Sequence, residues 1–174
     1  MLMKCIITFV MLAAGLLLSG CASFERSLVL DPVGPALIQS ATVGSKGSLV
    51  VYSAFDVHAD FTSIDPDRHR HTDYKIFSEN GKLLQVVHND TGTMLEGPVV
   101  VGLSAGTYRI AARANGYGVV TLPVVIAPHR ITTVHLEGGG SWSNKGAFNQ
   151  KNGVRLPDGQ IVGWRTSIDT SANP

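Results

Sequence analysis

From Gly47 to Leu136, apolar and polar positions alternate with a period of two rather than 3.6, and turn residues break the alternation every 8 to 12 positions. A period of two puts successive side chains on opposite faces of a strand. Short strands at even spacing are the pattern of a β-sandwich or barrel. The runs are Ser48–Phe55, Tyr74–Phe77, Leu83–Val87, Pro98–Leu103, Thr107–Ala114, Val119–Ile126 and Ile131–Leu136. Glu79-Asn80-Gly81-Lys82 separates the second from the third, and an Asn-Gly pair favours a tight hairpin because both residues tolerate positive φ. Thr107–Ala114 alternates most cleanly, with Tyr108, Ile110, Ala112 and Ala114 on one face and Arg109 and Arg113 on the other. Pro123 interrupts a run of valines and predicts an edge position or a bulge, because proline has no N–H to give to a ladder. No stretch after Cys21 carries a helical stripe. The expected fold is all-β: a single sandwich of about seven strands over residues 47–137.

Outside that region the pattern changes twice. Residues 138–174 begin with Gly138-Gly139-Gly140-Ser141, a flexible composition, and continue through a polar stretch to Asn152. Val154-Arg155-Leu156 and Ile161-Val162-Gly163-Trp164 then flank Pro157-Asp158-Gly159-Gln160, a turn sequence, which predicts a hairpin over 154–164. At the other end, Cys5–Leu18 is a 14-residue uncharged run preceded by Lys4. A membrane-spanning helix needs about 20 apolar residues, so this shorter run suits the h-region of an export signal, with an N-terminal signal helix.

Leu18-Ser19-Gly20-Cys21 closes that run and resembles the lipobox of bacterial lipoproteins. The resemblance implies a signal peptide over 1–20, a diacylglycerol on the Cys21 thiol, cleavage before Cys21, and acylation of the new amine. Two or three acyl chains anchor durably where one is marginal. Ala22 stands where an aspartate would retain an enterobacterial lipoprotein at the inner membrane, so the resemblance favours the outer membrane. Residues 21–46 then read as a tether. Leu28-Val29-Leu30 is long enough to add a strand, but Asp31-Pro32 and Gly34-Pro35 break regular structure at once.

Composition narrows the classes further. The only cysteines are Cys5 and Cys21; loss of one and acylation of the other leave no disulfide, so stability rests on an ordinary core. With Lys4 removed, thirteen basic residues face thirteen acidic ones. A neutral chain with no basic run argues against nucleic acid as a partner.

Leu103-Ser104-Ala105-Gly106-Thr107-Tyr108-Arg109-Ile110-Ala111-Ala112-Arg113, then Gly116-Tyr117, Val124-Val125-Ile126 and Thr133-Val134-His135-Leu136, resemble the second half of a carboxypeptidase-regulatory-like or PEGA-type domain. Such domains are small transthyretin-like or immunoglobulin-like sandwiches. Their usual role is to bind, space or stabilise, and the resemblance carries over no catalytic residue.

The densest set of reactive side chains is Asp56–Asp73, with five aspartates, His58, His69 and His71, and Arg68 and Arg70. If the opening strand continues, Asp56, His58 and Asp60 share one side and are the candidate metal ligands, supplemented by His69, His71 or His88. The plainer and preferred reading of the segment is a long solvated hairpin loop whose mixed charges blunt an edge. The spacing matches no paired Cys-x-x-Cys or His-Glu-x-x-His signature. No serine sits in a nucleophile elbow and no glycine-rich loop precedes a helix, so no enzyme is expected and no cofactor is implied. Trp142, Trp164 and Tyr117 lie in or beside loops, where exposed rings can stack on sugars or anchor a peptide. The chain therefore reads as a lipid-anchored envelope module that contacts the membrane through its anchor and another envelope protein or cell-wall polymer through its sandwich. The alternative is a sugar- or metal-binding domain.

Overall fold

A computed structural model describes residues 28–36, 44–56, 70–89, 97–138 and 151–165. The signal sequence with its expected helix, Cys21 and Trp142 lie outside the described residues. Among the described residues the protein is all-β, with ten strands and no helix. They are β1 (Leu28–Val29), β2 (Lys46–Tyr52), β3 (Tyr74–Ser78), β4 (Leu83–Val87), β5 (Val100–Ser104), β6 (Gly106–Ala114), β7 (Gly118–Ile126), β8 (Ile131–His135), β9 (Gly153–Arg155) and β10 (Ile161–Trp164).

Five strands form one sheet in the order β1-β7-β6-β3-β4, and three form a second in the order β5-β2-β8. β9 and β10 pair antiparallel across the Pro157–Gln160 turn. The inward residues of both large sheets meet in one core. Ile76, Ile110, Val120, Leu122 and Val124 come from the five-stranded sheet, and Leu49, Val51, Val101 and Val134 from the three-stranded one. Val154, Leu156 and Val162 bring the β9–β10 hairpin into the same cluster. Alternation explains the burial. In β6, Ile110, Ala112 and Ala114 are buried while Arg109 and Arg113 are exposed.

The hairpin forms at Asn80-Gly81, but only Gly81 takes positive φ (85°): its N–H donates to the Ser78 carbonyl, the Ser78 N–H donates to the Lys82 carbonyl, and the β3–β4 register shifts between Ile76 and Phe77. Pro123 lies in β7, which has β6 on one side and the two-residue β1 on the other. The Val33 N–H donates to the Pro123 carbonyl, and the Val125 N–H donates to the Val33 carbonyl. The odd-numbered backbone groups of this stretch thus point away from β6. The N–H that proline lacks belongs on that outer side, so the β6–β7 register runs unbroken from Gly106↔Ile126 to Ala114↔Gly118.

Part of the segment that precedes β2 is built into the fold. β1 pairs in parallel with Val120 and Thr121, and Val33 bridges Val124 and is fully buried. Gly34 has φ 130° and donates its N–H to the Trp164 carbonyl. Gly163 lies so close to Val33 that a Cβ there would collide with the valine side chain. Hydrophobic burial of Val33 and the two glycine approaches hold the N-terminal segment between β7 and the C-terminal hairpin.

Candidate functional site

The chemistry-bearing residues gather at one pole of the fold, where β2 and β8 end side by side. Beyond β2 the chain continues extended through Ser53 to Asp56 and pairs with Arg70–Thr72. The Asp56 N–H donates to the Arg70 carbonyl (2.7 Å), the Thr72 N–H donates to the Ala54 carbonyl (2.9 Å), and Phe55 bridges His71. These contacts close the two ends of the 57–69 segment into a neck. The Ala54 N–H also donates to the Arg113 carbonyl, which fastens the neck to the end of β6.

Four rings stack at this neck. Tyr52 lies parallel to His135 with centroids 4.4 Å apart, and meets the edge of His71 at 5.6 Å. Phe55 stacks on His71 at 4.8 Å. His71 is buried, and its Nδ1 stands 2.6 Å from the Ser53 carbonyl. A carbonyl only accepts, so Nδ1 is the donor in this contact. His135, also buried, directs Nδ1 at Glu137 Oε1 (2.7 Å), while Glu137 Oε2 is buried with no hydrogen-bond partner among the described residues.

Beneath the rings lies a second polar set. Asn89 is buried and bonds three ways: Nδ2 donates to the Val51 carbonyl (2.7 Å) and to Ser53 Oγ (3.0 Å), and Oδ1 accepts from the Val99 N–H (3.0 Å). Ser53 Oγ donates in turn to the Thr72 carbonyl. One side chain thus ties β2, the neck and the approach to β5. At the rim, Asp73 accepts from His88 Nδ1 (2.7 Å) and from the Asn89 N–H (3.1 Å).

Of the candidate ligands Asp56, His58 and Asp60, the described residues include Asp56 alone, which is exposed; His58, Asp60 and His69 lie outside them. His71 turns inward onto Ser53 and His88 outward onto Asp73. Among the described residues, no three histidine, cysteine or acidic side chains come together as a metal-binding group. Trp164 is half-buried in the C-terminal hairpin and Tyr117 packs against the core. The site adds Tyr52, His135, Glu137 and Asn89 to the residues singled out from sequence. His135 and Glu137 carried a usable signal, two residues apart at a strand end. Asn89 carried none, since its role depends on segments far away in the chain.

A second feature lies at the far edge of the five-stranded sheet. Among the described residues β4 pairs with β3 alone, and its residues Leu83, Leu84 and Val86 are 47%, 48% and 44% exposed. The strand has no charge and no proline, the usual devices that blunt a free edge. Comparison of the chain with protein-family models, with curated proteins and with solved structures finds no match.

Proposed function

We propose that this chain is a lipid-anchored lipoprotein of the bacterial cell envelope whose domain, a transthyretin-like or immunoglobulin-like sandwich, is a non-catalytic interaction module. The anchor reading rests on Leu18–Cys21 and favours the outer membrane. The partner is another envelope protein or cell-wall polymer. The observation that carries the module reading is the open, apolar, uncharged edge of β4. An extended segment of a partner can add to such an edge through main-chain hydrogen bonds, with alternate side chains read by the exposed apolar positions.

The test is crosslinking in intact cells from a photoreactive residue at Gln85, with gentle detergent extraction, mass spectrometry and a Cys21→Ala control. Reproducible envelope proteins captured from Gln85 and lost in the control support a tethered module. Recovery of the acylated monomer alone counts against a protein partner and brings sugar and metal ligands forward.

A further inference from the structure

The solvent face of the five-stranded sheet carries three cations in neighbouring rows. Its strands β1, β3, β4, β6 and β7 contain Lys75, Arg109 and Arg113 and not one aspartate or glutamate. All three cations are exposed, and none has an ion pair or hydrogen bond among the described side chains. The register places them in successive rows. Val29, Thr121, Ala111, Lys75 and Val86 line up across all five strands. Arg109 lies beside Phe77 and Pro123 in the row on one side, and Arg113 beside Val119 in the row on the other.

Val29 is 68% exposed, so the row that holds Lys75 ends in apolar side chains at both sheet edges. Around the small Ala111 side chain the face sinks into a depression of about 200 Å³, lined by Asp73, Lys75, Val86, Arg113 and Val119 among others. Asp73 is the one carboxylate there among the described residues, and both its oxygens are engaged, by His88 and by the Asn89 N–H.

We propose that this face lies on the anionic headgroups of the bilayer that holds Cys21. The inference rests on the lipoprotein reading for the anchor, and two things point to lipid as the occupant. The first is charge complementarity: three cations with no partner among the described residues, set among exposed valine and leucine side chains, suit an interface where phosphates and glycerol backbones meet water. The guanidinium forks of Arg109 and Arg113 bind phosphate oxygens in pairs, and Lys75 supplies a point charge beside the depression. The second is chain length. β1 starts only seven residues after Cys21, which extended chain spans in at most about 25 Å. The anchor therefore holds the β1 edge of this sheet close to the membrane, and the cations lie on the sheet that the anchor enters.

The experiment uses the purified full-length acylated chain, whose intact mass reports acylation at Cys21 independently of docking. Acylation blocks the only cysteine that the mature chain keeps, so an introduced thiol labels alone. Val86→Cys probes the sheet face and Ile131→Cys, 60% exposed on the other sheet, is the reference. Each is reconstituted in vesicles of phosphatidylcholine, with or without phosphatidylglycerol, and labelled with a water-soluble maleimide.

Docking slows labelling of Val86→Cys about tenfold on the anionic vesicles alone, leaves Ile131→Cys unchanged, and is reversed by high salt. Equal rates on both vesicles overturn the proposal. So does slowing that is the same on neutral lipid, which marks a contact without charge. Relief of the slowing by millimolar inorganic phosphate at constant ionic strength assigns the depression to free phosphate instead, and also overturns it.

If the intact mass shows no acyl chain, the anchor reading fails by itself, and cosedimentation of the same protein with the two vesicle types still decides the face. There the Lys75→Gln, Arg109→Gln, Arg113→Gln variant binds anionic vesicles roughly a hundredfold more weakly, about fivefold for each cation. Undiminished binding by that variant rejects the proposal.

Discussion

Tyr52 and His135 stand opposite each other on the parallel strands β2 and β8, and their rings stack 4.4 Å apart with planes 8° from parallel. The pair couples the end of the three-stranded sheet to the neck of the 57–69 segment, because Tyr52 also meets His71 and His71 stacks on Phe55. Tyr52→Ala removes the ring common to both imidazoles. It is expected to cost about 2 kcal/mol of stability and to speed exchange of the Asp56 and Thr72 amides more than that of the β6 amides. Hydrogen exchange read by mass spectrometry checks this. A uniform rise across the protein would show that the neck has no separate opening step.

Asn89 joins three parts of the chain through one buried amide. Replacement by leucine keeps the volume but strands the Val51 carbonyl and the Val99 N–H and leaves Ser53 Oγ only its bond to the Thr72 carbonyl. Asn89→Leu is expected to lower unfolding free energy by about 3 kcal/mol, measured by urea titration. A loss below about 1 kcal/mol means that water takes over these bonds.

Tyr74 is buried, and its Oη has no hydrogen-bond partner among the described residues. Burial pushes its phenol above the ordinary tyrosine range. The folded protein keeps that proton where the unfolded chain gives it up. The contribution is therefore whole below the ordinary tyrosine value of about 10 and is lost as pH rises beyond it towards the folded value. Tyr74→Phe is expected to flatten the alkaline fall in stability and, near neutral pH, to change stability by no more than about 1 kcal/mol. Denaturant midpoints of both proteins across the alkaline range decide it. Parallel curves would place the alkaline sensitivity elsewhere.

Gly163 leaves room for Val33 to pack against the C-terminal hairpin. Gly163→Ala forces either the valine or β10 to shift and is expected to destabilise by about 1–3 kcal/mol. Protease sensitivity should rise within 151–165 and around Val33 together, since each segment holds the other. Cleavage at one site alone contradicts that coupling.

Several elements were legible because their causes are local. The Thr107–Ala114 alternation set which residues of β6 are buried, and Gly81 carries the positive φ that its turn needs. Pro123 was only half legible. The missing N–H forbids a ladder bond on one side of β7, but which strand stands on that side depends on β1. The segment around Val33 was the least legible. Asp31-Pro32 and Gly34-Pro35 break regular structure locally, and only the distant β7 and β10 make a buried place for the valine between them. At the neck, His71 stood out in sequence among acidic neighbours as a candidate ligand, yet its Nδ1 is committed to the Ser53 carbonyl.

The sequence by itself determined the all-β character of the described residues, the positions of most of their strands and turns, and a core fed by alternate residues. These follow from side-chain period, proline and glycine stereochemistry, and hydrophobicity, all of which act within a few residues. Only the tertiary structure decided that Asn89 bonds to Val51, that Tyr52 meets His135, and that Lys75, Arg109 and Arg113 share a face free of strand carboxylates. Those relationships join residues separated by tens of positions. They exist only once hydrophobic burial has chosen strand order and register, and neither choice is encoded in any single stretch of chain.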